Sequence, residues 1–319
     1  NSNLIDFDYL CSMSVAVVIL NYNGRKFLAD FLPIVLENTQ DATIYVADNG
    51  SSDDSLALLA SDFPSVSVLS WAENLGYAGG YNFALGQIKA DYFVLMNSDI
   101  APRKGWLAPL LNYFEANPLV AAAQPFLLDY NKPEYFEYAG AAGGFWDKYG
   151  YPFCRGRIFE SLEKNEGQYA TSLVNWATGA CLMVRSDIFQ KVGGLDNYLF
   201  AHMEEIDLCW RMKRAGYSIA AVAESEVLHV GGGTLNKENP FKTYLNFRNN
   251  LILLYKNLEP SQRFKIIFIR MILDGIAGIK FLTEGKFSSF LAILKAHYGF
   301  YHYLFFVNDK QNLSPSLRK

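Results

Sequence analysis

The sequence predicts an α/β fold in which a mainly parallel sheet is flanked by helices and followed by a C-terminal helical extension. Short apolar segments alternate with segments of helical periodicity four times before residue 100, at the spacing of βαβ units. Polar residues follow directly after each of these apolar segments. The 319 residues are sufficient for one large domain with an appendage, or for two domains.

The first part of the chain has four short apolar segments, which is typical of strands buried on both faces of a sheet. A helix of apolar periodicity follows each of the first three, and one of them has Ser51 or Ser52 as its N-cap, with two aspartates in its first turn. The predicted strands are residues 15–20, 43–47, 66–69 and 92–96, and the predicted helices are residues 26–37, 51–60 and 79–89.

The pattern becomes looser after residue 100. Residues 127–168 are rich in Tyr, Gly and Pro, and we expect a long irregular insertion that shapes a cleft. Gly216 closes a predicted helix at residues 207–215, and His229 is expected in a loop after a strand. The other predicted elements are strands at residues 119–123, 180–184 and 219–223 and a short helix at residues 187–192.

The C-terminal region, residues 258–319, is predicted to be amphipathic and helical. Charged residues interrupt its apolar segments at residues 264–282 and 287–306, so a membrane-spanning helix is not expected. Three alternatives stay open: a helical cap on the preceding domain, a homodimer contact, or a peripheral contact with a membrane interface.

Composition excludes several classes of protein. The net charge of −4 does not favour nucleic-acid binding, which normally needs a basic surface. The four cysteines have no metal-type or paired spacing, which indicates reduced thiols in a cytosolic protein. Residues 1–12 do not form a signal peptide. We expect Met13, directly before the first strand, to be the native start and residues 1–12 to be a cloning remnant.

The polar stretches after the predicted strands should meet at one edge of the sheet, where open α/β sheets bind ligands. Asn21 and Asn23 follow the first strand, Asp48 ends the second, and residues 97–99 follow the fourth. Asp48 can accept two hydrogen bonds, for example from a base or a ribose. The alternative for these residues is a structural one, as turn and helix-capping groups.

A glycine-rich stretch, N-L-G-Y-A-G-G-Y-N, begins at Asn74 and includes Gly79 at the predicted start of a helix. Its backbone N–H groups are suited to a phosphate or a base. The chain contains neither the G-x-G-x-x-G dinucleotide pattern nor a G-x-x-x-x-G-K-[ST] loop.

Asp99 is a candidate ligand for Mg²⁺ or Mn²⁺, with further oxygens supplied by a diphosphate. His229 is a candidate nitrogen ligand, which would favour Mn²⁺. Glu204, Glu205 and Asp207 crowd three carboxylates at a helix start. Crowding beside apolar groups raises a carboxyl pKa, as a general base requires. Arg211 is spaced to pair with Asp207.

Seven segments together resemble the inverting family 2 glycosyltransferases, especially the rhamnosyltransferase-like branch. They occur in the family's order between residues 15 and 257, and the resemblance implies a GT-A fold with a nucleotide-binding half at about residues 13–100 and an acceptor half at about 101–257. The segments are V-A-V-V-I-L-N-Y-N-G, A-D-N-G-S-S-D-D-S, E-N-L-G-Y-A-G-G-Y-N, V-L-M-N-S-D-I, A-T-G-A-C-L-M-V-R, H-M-E-E-I-D-L-C-W-R and V-L-H-V-G-G-G-T.

The resemblance also implies roles for individual residues. Asp48 matches the acidic residue that contacts the base of the donor, and Asn97, Ser98 and Asp99 match the metal-binding triplet, although its first position is Asn here. Glu204-Glu205 matches the Glu-Asp pair that carries the catalytic base, which we assign to Glu205. The remaining matches are His229 near the metal and diphosphate, Thr178 and Gly179 along the donor sugar, and Arg248 at the diphosphate.

We therefore expect an inverting glycosyltransferase that uses Mn²⁺ or Mg²⁺ and a nucleoside-diphosphate sugar, with dTDP-rhamnose implied by the branch. The expected acceptor is a saccharide or a lipid-linked saccharide used in cell-surface polysaccharide synthesis, at the cytoplasmic face of the cell membrane. The alternatives are a nucleotidyltransferase, which would need a basic glycine-rich loop after the first strand, and a catalytically inactive nucleotide-sugar-binding subunit.

Overall fold

The computed structural model of the chain describes residues 13–138, 140–158, 161–231 and 239–307. The chain divides into two compact units. The first unit comprises residues up to 145 together with 152–200 and 204–231, and the second comprises residues 146–151, 201–203 and those from 232 onward. The predicted start at Met13 and the remnant before it concern residues 1–12, which lie outside the described residues.

A mixed sheet of nine strands forms the centre of the first unit within the described residues. Its strands are β1 (Val15–Asn21), β2 (Thr43–Asn49), β3 (Ser67–Trp71), β4 (Tyr92–Asn97), β5 (Ile100–Pro102), β6 (Val120–Asp129), β11 (Ser172–Val174), β12 (Cys181–Arg185) and β13 (Ser218–His229), and four further strands form hairpins, β7 (Gly144–Trp146), β8 (Pro152–Cys154), β9 (Arg157–Ile158) and β10 (Ser161–Leu162). The strand order in the sheet is β11-β13-β6-β12-β4-β1-β2-β3, with β5 paired to β13.

The predicted α/β sheet with flanking helices is confirmed. Strands β4, β1, β2 and β3 are parallel to one another, as are β6 and β13. Strand β12 lies between β4 and β6 and is antiparallel to both. The parallel set places the C-terminal ends of β1, β2 and β4 side by side, since Asn21 pairs with Asp48 and Leu20 pairs with Asn97.

The helices of the first unit bury apolar residues on one face. Helix α1 (Arg25–Asn38) buries Leu28, Phe31, Leu32 and Val35. Residues three or four positions apart lie on the same side of a helix, so these four form one apolar stripe. The predicted helix after Ser186 is present. The helices are α1 (Arg25–Asn38), α2 (Ser55–Asp62), α3 (Gly76–Leu85), α4 (Leu107–Ala116), α5 (Ser186–Lys191) and α6 (Glu204–Arg214).

Strand β13 differs most from the prediction, because it continues to His229 rather than ending near residue 223. Its pairing with β6 is interrupted between Val222 and Glu226. An interruption of this kind is a bulge, which breaks the alternation of side chains that marks a strand in a sequence. His229 is therefore the last residue of a strand, not a loop residue. The predicted irregular insertion at residues 127–168 is partly regular. Its first residues belong to the end of β6, and it contains two hairpins, β7–β8 and β9–β10.

The second unit consists mainly of helices α7 (Pro240–Asn257), α8 (Pro260–Thr283) and α9 (Phe287–His302), with a π-helical turn at Tyr303–Val307. The boundary between the units lies near residue 231, whereas the sequence prediction ends the first domain at residue 257. The predicted domains stay a prediction. Among the described helices, none is both long enough and apolar enough to cross a membrane.

Candidate functional site

The turns after β1 and β2 are held together by hydrogen bonds between their polar side chains. Asp48 is buried, and its two carboxylate oxygens accept from Asn21 Nδ2 at 2.9 Å and from the backbone N–H of Ser51 at 3.0 Å. Asn23 Oδ1 accepts from the backbone N–H of Ser52 at 2.7 Å. The structural alternative is therefore present, since Asp48 braces a turn. Each carboxylate oxygen still has a second lone pair for a ligand.

The glycine-rich stretch is anchored by Asn49, the last residue of β2. The side-chain amide of Asn49 donates to Asn74 Oδ1 and to the carbonyl of Gly76, both at 3.0 Å, and accepts from Trp71 and from the N–H of Leu75. This bonding fixes the stretch at the edge of the sheet. Gly79 lies in the first turn of α3, where a Cβ would come within 2.9 Å of Leu75 Cβ.

Asp99, His229 and Glu137 form a buried chain of charged groups, because β13 brings its last residue beside β5. His229 Nε2 lies 3.2 Å from Asp99 Oδ1, and His229 Nδ1 lies 3.4 Å from Glu137 Oε2. Burial alone lowers the pKa of His229, but hydrogen bonds and charges of Asp99 and Glu137 outweigh it and raise the pKa to about 10. Burial alone raises the pKa of Asp99, and bonding to His229 reverses this, so its pKa is lowered.

Asp99 and His229 would serve as two ligands of a divalent cation only after His229 loses the Nε2 proton that faces Asp99, because a metal ligand must be deprotonated. Glu137 lies on the other ring nitrogen. No three His, Cys, Asp or Glu side chains of the described residues are placed to hold an ion together. Any such ion would need further oxygens from its ligand.

Asn97 and Ser98 directly precede Asp99 and lie next to two other segments of the site, residues 178–180 and the turn after β1. The backbone N–H of Asn97 donates to the carbonyl of Ala180 at 2.9 Å, and Ser98 Oγ would lie 3.7 Å from a Cβ on Gly24, beside the first turn. The backbone N–H of Thr178 donates to the side-chain amide oxygen Oε1 of Gln124 at 2.9 Å. Residues 178–180 are thus held beside the end of β4.

Glu204 and Glu205 begin α6, and Glu205 lies against the segment that contains Gly179. Tyr77 Oη donates to the carbonyl of Gly179 at 2.5 Å, and a Cβ on Gly179 would lie 2.6 Å from that hydroxyl and 3.6 Å from Glu205 Cβ. Arg211 pairs with Asp207 at 2.7 Å, as predicted. Gly179 therefore lies next to both Tyr77 and Glu205.

The two glutamates carry the clearest electrostatic signal of the site. Burial raises the pKa of Glu205 to about 7. Burial, and next the charge of Glu205, raise the pKa of Glu204 well above its ordinary value. Within the described residues, Oε2 of each glutamate is buried without a hydrogen-bond partner. A buried carboxylate that titrates near neutral pH can accept a proton from a bound hydroxyl.

Arg248 lies in the second unit, on α7. It is buried, its Nε donates to Asn249 Oδ1 at 2.8 Å, and its Nη1 donates to Tyr244 Oη at 3.3 Å. The predicted contact with a diphosphate stays a prediction for this residue.

Sequence reasoning missed three residues that the structure brings to the site: Glu137, Tyr77 and Asn49. Glu137 lies in the insertion, which has no periodicity to indicate its position. Tyr77 lies within the glycine-rich stretch, where the glycines and asparagines are the residues that indicate ligand binding. Asn49 directly follows Asp48, and its place in the polar stretch after the second predicted strand is the signal that the sequence offers.

Comparison with known proteins gives the family. The model of the family named "Glycosyl transferase family 2" matches residues 16–193. The N-acetylglucosaminyl-diphospho-decaprenol L-rhamnosyltransferase of Mycobacterium tuberculosis is 28% identical over 239 residues, which are 67% of this chain and 75% of that protein.

Solved structures resemble the fold. GalNAc-T7 with UDP, GalNAc and Mn²⁺ has a TM-score of 0.60 at 16% identity, over 76% of this chain and 47% of that chain. The mannosyltransferase PcManGT of Pyrobaculum calidifontis, in complex with GDP-Man and Mn²⁺, has a TM-score of 0.55 at 12% identity, over 91% and 87%. These neighbours confirm the GT-A-type fold, and the chain belongs to glycosyl transferase family 2.

Proposed function

We propose that this enzyme transfers a sugar from a nucleoside-diphosphate sugar to an acceptor hydroxyl, with inversion at the anomeric carbon. The observation that carries the proposal is the Glu205 carboxylate, which is partly buried, has a pKa of about 7 and has one buried oxygen, Oε2, without a partner among the described residues. Glu205 stands beside Gly179, in the segment that we assign to the donor sugar.

The chemistry assigned to Glu205 is that of a general base. It accepts the proton of the acceptor hydroxyl while that oxygen forms a bond to the anomeric carbon from the face opposite the diphosphate. The bond between the anomeric carbon and the diphosphate oxygen breaks, and the nucleoside diphosphate leaves with that electron pair. One displacement gives a product of inverted configuration.

The donor is assigned to the edge of the sheet formed by the ends of β1, β2 and β4. Asp48, with Asn21 and Asn23 around it, is assigned to the base and ribose, and the stretch from Asn74 to Gly79 to the nucleotide. Asp99 and His229 would hold Mn²⁺ or Mg²⁺ together with the diphosphate. When bound, such an ion neutralises the charge that develops on the leaving group. Asn97, Ser98 and Thr178 complete the proposed donor contacts.

The similarity to a rhamnosyltransferase that acts on N-acetylglucosaminyl-diphospho-decaprenol supports dTDP-rhamnose as donor. It also supports a lipid-linked saccharide as acceptor, in the synthesis of a cell-surface polysaccharide. We propose that the enzyme meets this acceptor at the cytoplasmic face of the cell membrane. The match to family 2 disfavours the nucleotidyltransferase alternative.

The decisive experiment compares Glu205→Gln with its neighbour Glu204→Gln. We expect Glu205→Gln to abolish sugar transfer because it removes the proton acceptor, and to keep donor binding measured by calorimetry. Glu204→Gln is the matched control, which should keep turnover. Turnover in Glu205→Gln together with its loss in Glu204→Gln would move the base to Glu204. An inactive wild-type chain that still binds a donor would instead support the inactive-subunit alternative.

Calorimetry with UDP, dTDP and GDP, each with and without Mn²⁺, tests the donor and the metal. We expect one nucleotide to bind in a metal-dependent manner, and Asp99→Ala to lose the metal-dependent part of the binding. Equal binding with and without Mn²⁺ would contradict the proposed metal site.

A further inference from the structure

Helix α8 in the second unit has its amphipathic faces reversed. Its buried residues are Ile266, Arg270, Asp274 and Gly278, at a spacing of four residues on one face. Its exposed apolar residues lie at similar spacing on the opposite face and are Phe264, Phe268, Ile272, Ile276, Ile279 and Leu282. Helices of water-soluble proteins normally bury the apolar stripe and expose the charges.

The buried charges of α8 have partners inside the second unit. Asp274 Oδ2 lies 3.1 Å from His297 Nε2 of α9. Arg270 donates to the carbonyl of Tyr149 at 3.1 Å, and its guanidinium lies 3.3 Å from the centre of the Tyr151 ring. These contacts fix the orientation of the helix, because turning the apolar stripe inward would break them.

Helix α9 presents a second apolar stripe. Phe287, Leu291, Leu294, Tyr298 and Tyr301 are exposed at intervals of three or four residues, and Phe305 continues the stripe into the π-helical turn. Phe264 of α8 is 90% exposed and Tyr298 is 75% exposed. We call the two stripes together the outer face of α8 and α9. Exposed apolar side chains in rows along two helices that contact each other mark an interaction surface.

The charges beside the outer face identify what covers it. Residues 260–307 carry six basic and two acidic side chains, a net charge of +4 in a chain whose total is −4. Exposed lysines directly adjoin stripe residues: Lys265 follows Phe264, Lys280 follows Ile279, Lys286 precedes Phe287 and Lys295 follows Leu294. The exposed acidic residue, Glu284, lies 3.1 Å from Lys286 and 3.7 Å from Lys280, whereas Lys265 and Lys295 have no ion pair among the described residues.

We propose that the outer face of α8 and α9 docks on a membrane surface that contains anionic lipids. Apolar side chains enter the boundary between headgroups and acyl chains, and the lysines contact the anionic headgroups. A second copy of the chain fits less well, because it would bring the same positive charges against them. The proposal does not depend on sugar transfer, and its test contains neither donor nor acceptor.

The experiment is flotation of the 319-residue chain with phosphatidylcholine vesicles, with and without phosphatidylglycerol. We expect binding to the anionic vesicles, weakened by salt. The double variant Phe268→Glu/Ile272→Glu should lose it. The matched control is Ile158→Glu/Leu173→Glu, which alters two residues of the first unit at exposures of 65% and 55%, against 63% and 51% for Phe268 and Ile272. The control should bind as the wild type does.

A second set of variants separates the lysines from the apolar stripes. Lys265→Gln and Lys295→Gln should each weaken binding to anionic vesicles about five-fold, with little change on pure phosphatidylcholine. Circular dichroism melting verifies that each variant is folded. A wild-type chain that ignores both kinds of vesicle overturns the proposal. If light scattering then shows a dimer that Phe268→Glu/Ile272→Glu dissociates, the outer face belongs to a second copy.

Discussion

Glu205 has to be ionised before it can accept a proton, so its pKa limits the pH at which transfer takes place. Burial raises this pKa to about 7. Below that pH the carboxyl is protonated, and we expect kcat/KM to fall about ten-fold for each further pH unit. Initial rates between pH 5 and 9 measure this limb. A rate that stays constant down to pH 5 would contradict the role of Glu205.

Glu204 makes a separate prediction about stability. Its folded pKa lies well above the ordinary value of 4.5, so above pH 4.5 the native state binds more protons than the unfolded state. Stability from this group is therefore lost as pH rises. Glu204→Gln removes the cost, since glutamine has nearly the same shape and cannot ionise. We expect the free energy of unfolding in urea to exceed that of the wild type at pH 8.

The same measurement at low pH is the internal control. At pH 4.5 the wild-type glutamate is protonated in the native state and about half protonated in the unfolded state, so the two proteins should differ much less in stability than at pH 8. An equal gain for Glu204→Gln at both pH values would show that the effect comes from packing or hydrogen bonding rather than from the buried charge.

At the scale of elements, the glycine-rich stretch packs against Phe200, which precedes the short loop into α6. Gly76 has a φ of +73°, and a Cβ there would lie 2.4 Å from Phe200 Cδ2. The carbonyl of Phe200 also accepts from the N–H of Ala78 at 3.1 Å. A side chain at Gly76 would therefore displace Phe200 and the backbone around it.

We predict that Gly76→Ala is more destabilising than Gly105→Ala. Gly105 has a similar φ of +77°, but nothing lies within 4 Å of its Cβ position, so this control isolates the backbone strain of about 1–2 kcal/mol. Gly76→Ala should exceed that cost and also lower kcat. Urea unfolding and initial rates measure the two effects, and equal losses of stability would show that the contact with Phe200 is easily relieved.

The elements also show what the sequence could reveal. Strand β4 was predicted to within one residue, because its five apolar residues are uninterrupted and end in polar ones. Strand β13 was cut short because Glu224, Ser225 and Glu226 fall at its bulge. Glu137 was missed because its position beside His229 depends on the path of the insertion. The site residues named from the polar strand ends nevertheless lie along one edge of the sheet.

For the whole molecule, the position of α7 gives a test of the domain boundary. Tyr255 of α7 contacts the rings of Phe300 and Tyr303, each 6.4 Å away between ring centres, and Gly299 of α9 lies against Tyr244 and Arg248. We predict that a fragment of residues 13–257 aggregates, since it exposes the face of α7 that packs on α9. Gel filtration beside the 319-residue chain measures this, and a monomeric, cooperatively melting fragment would support the boundary at residue 257.

The hydrogen bonds of Asn49 have a consequence for how the protein ages. Asn49 and Asn23 each precede a glycine, and asparagine in this context deamidates when the next backbone nitrogen attacks the side-chain carbonyl. The amide of Asn49 is buried and held by four hydrogen bonds, whereas Asn23 is exposed. Stored native protein should therefore deamidate at Asn23 first, and deamidation at Asn49 becomes a chemical record of how often this edge of the sheet has opened.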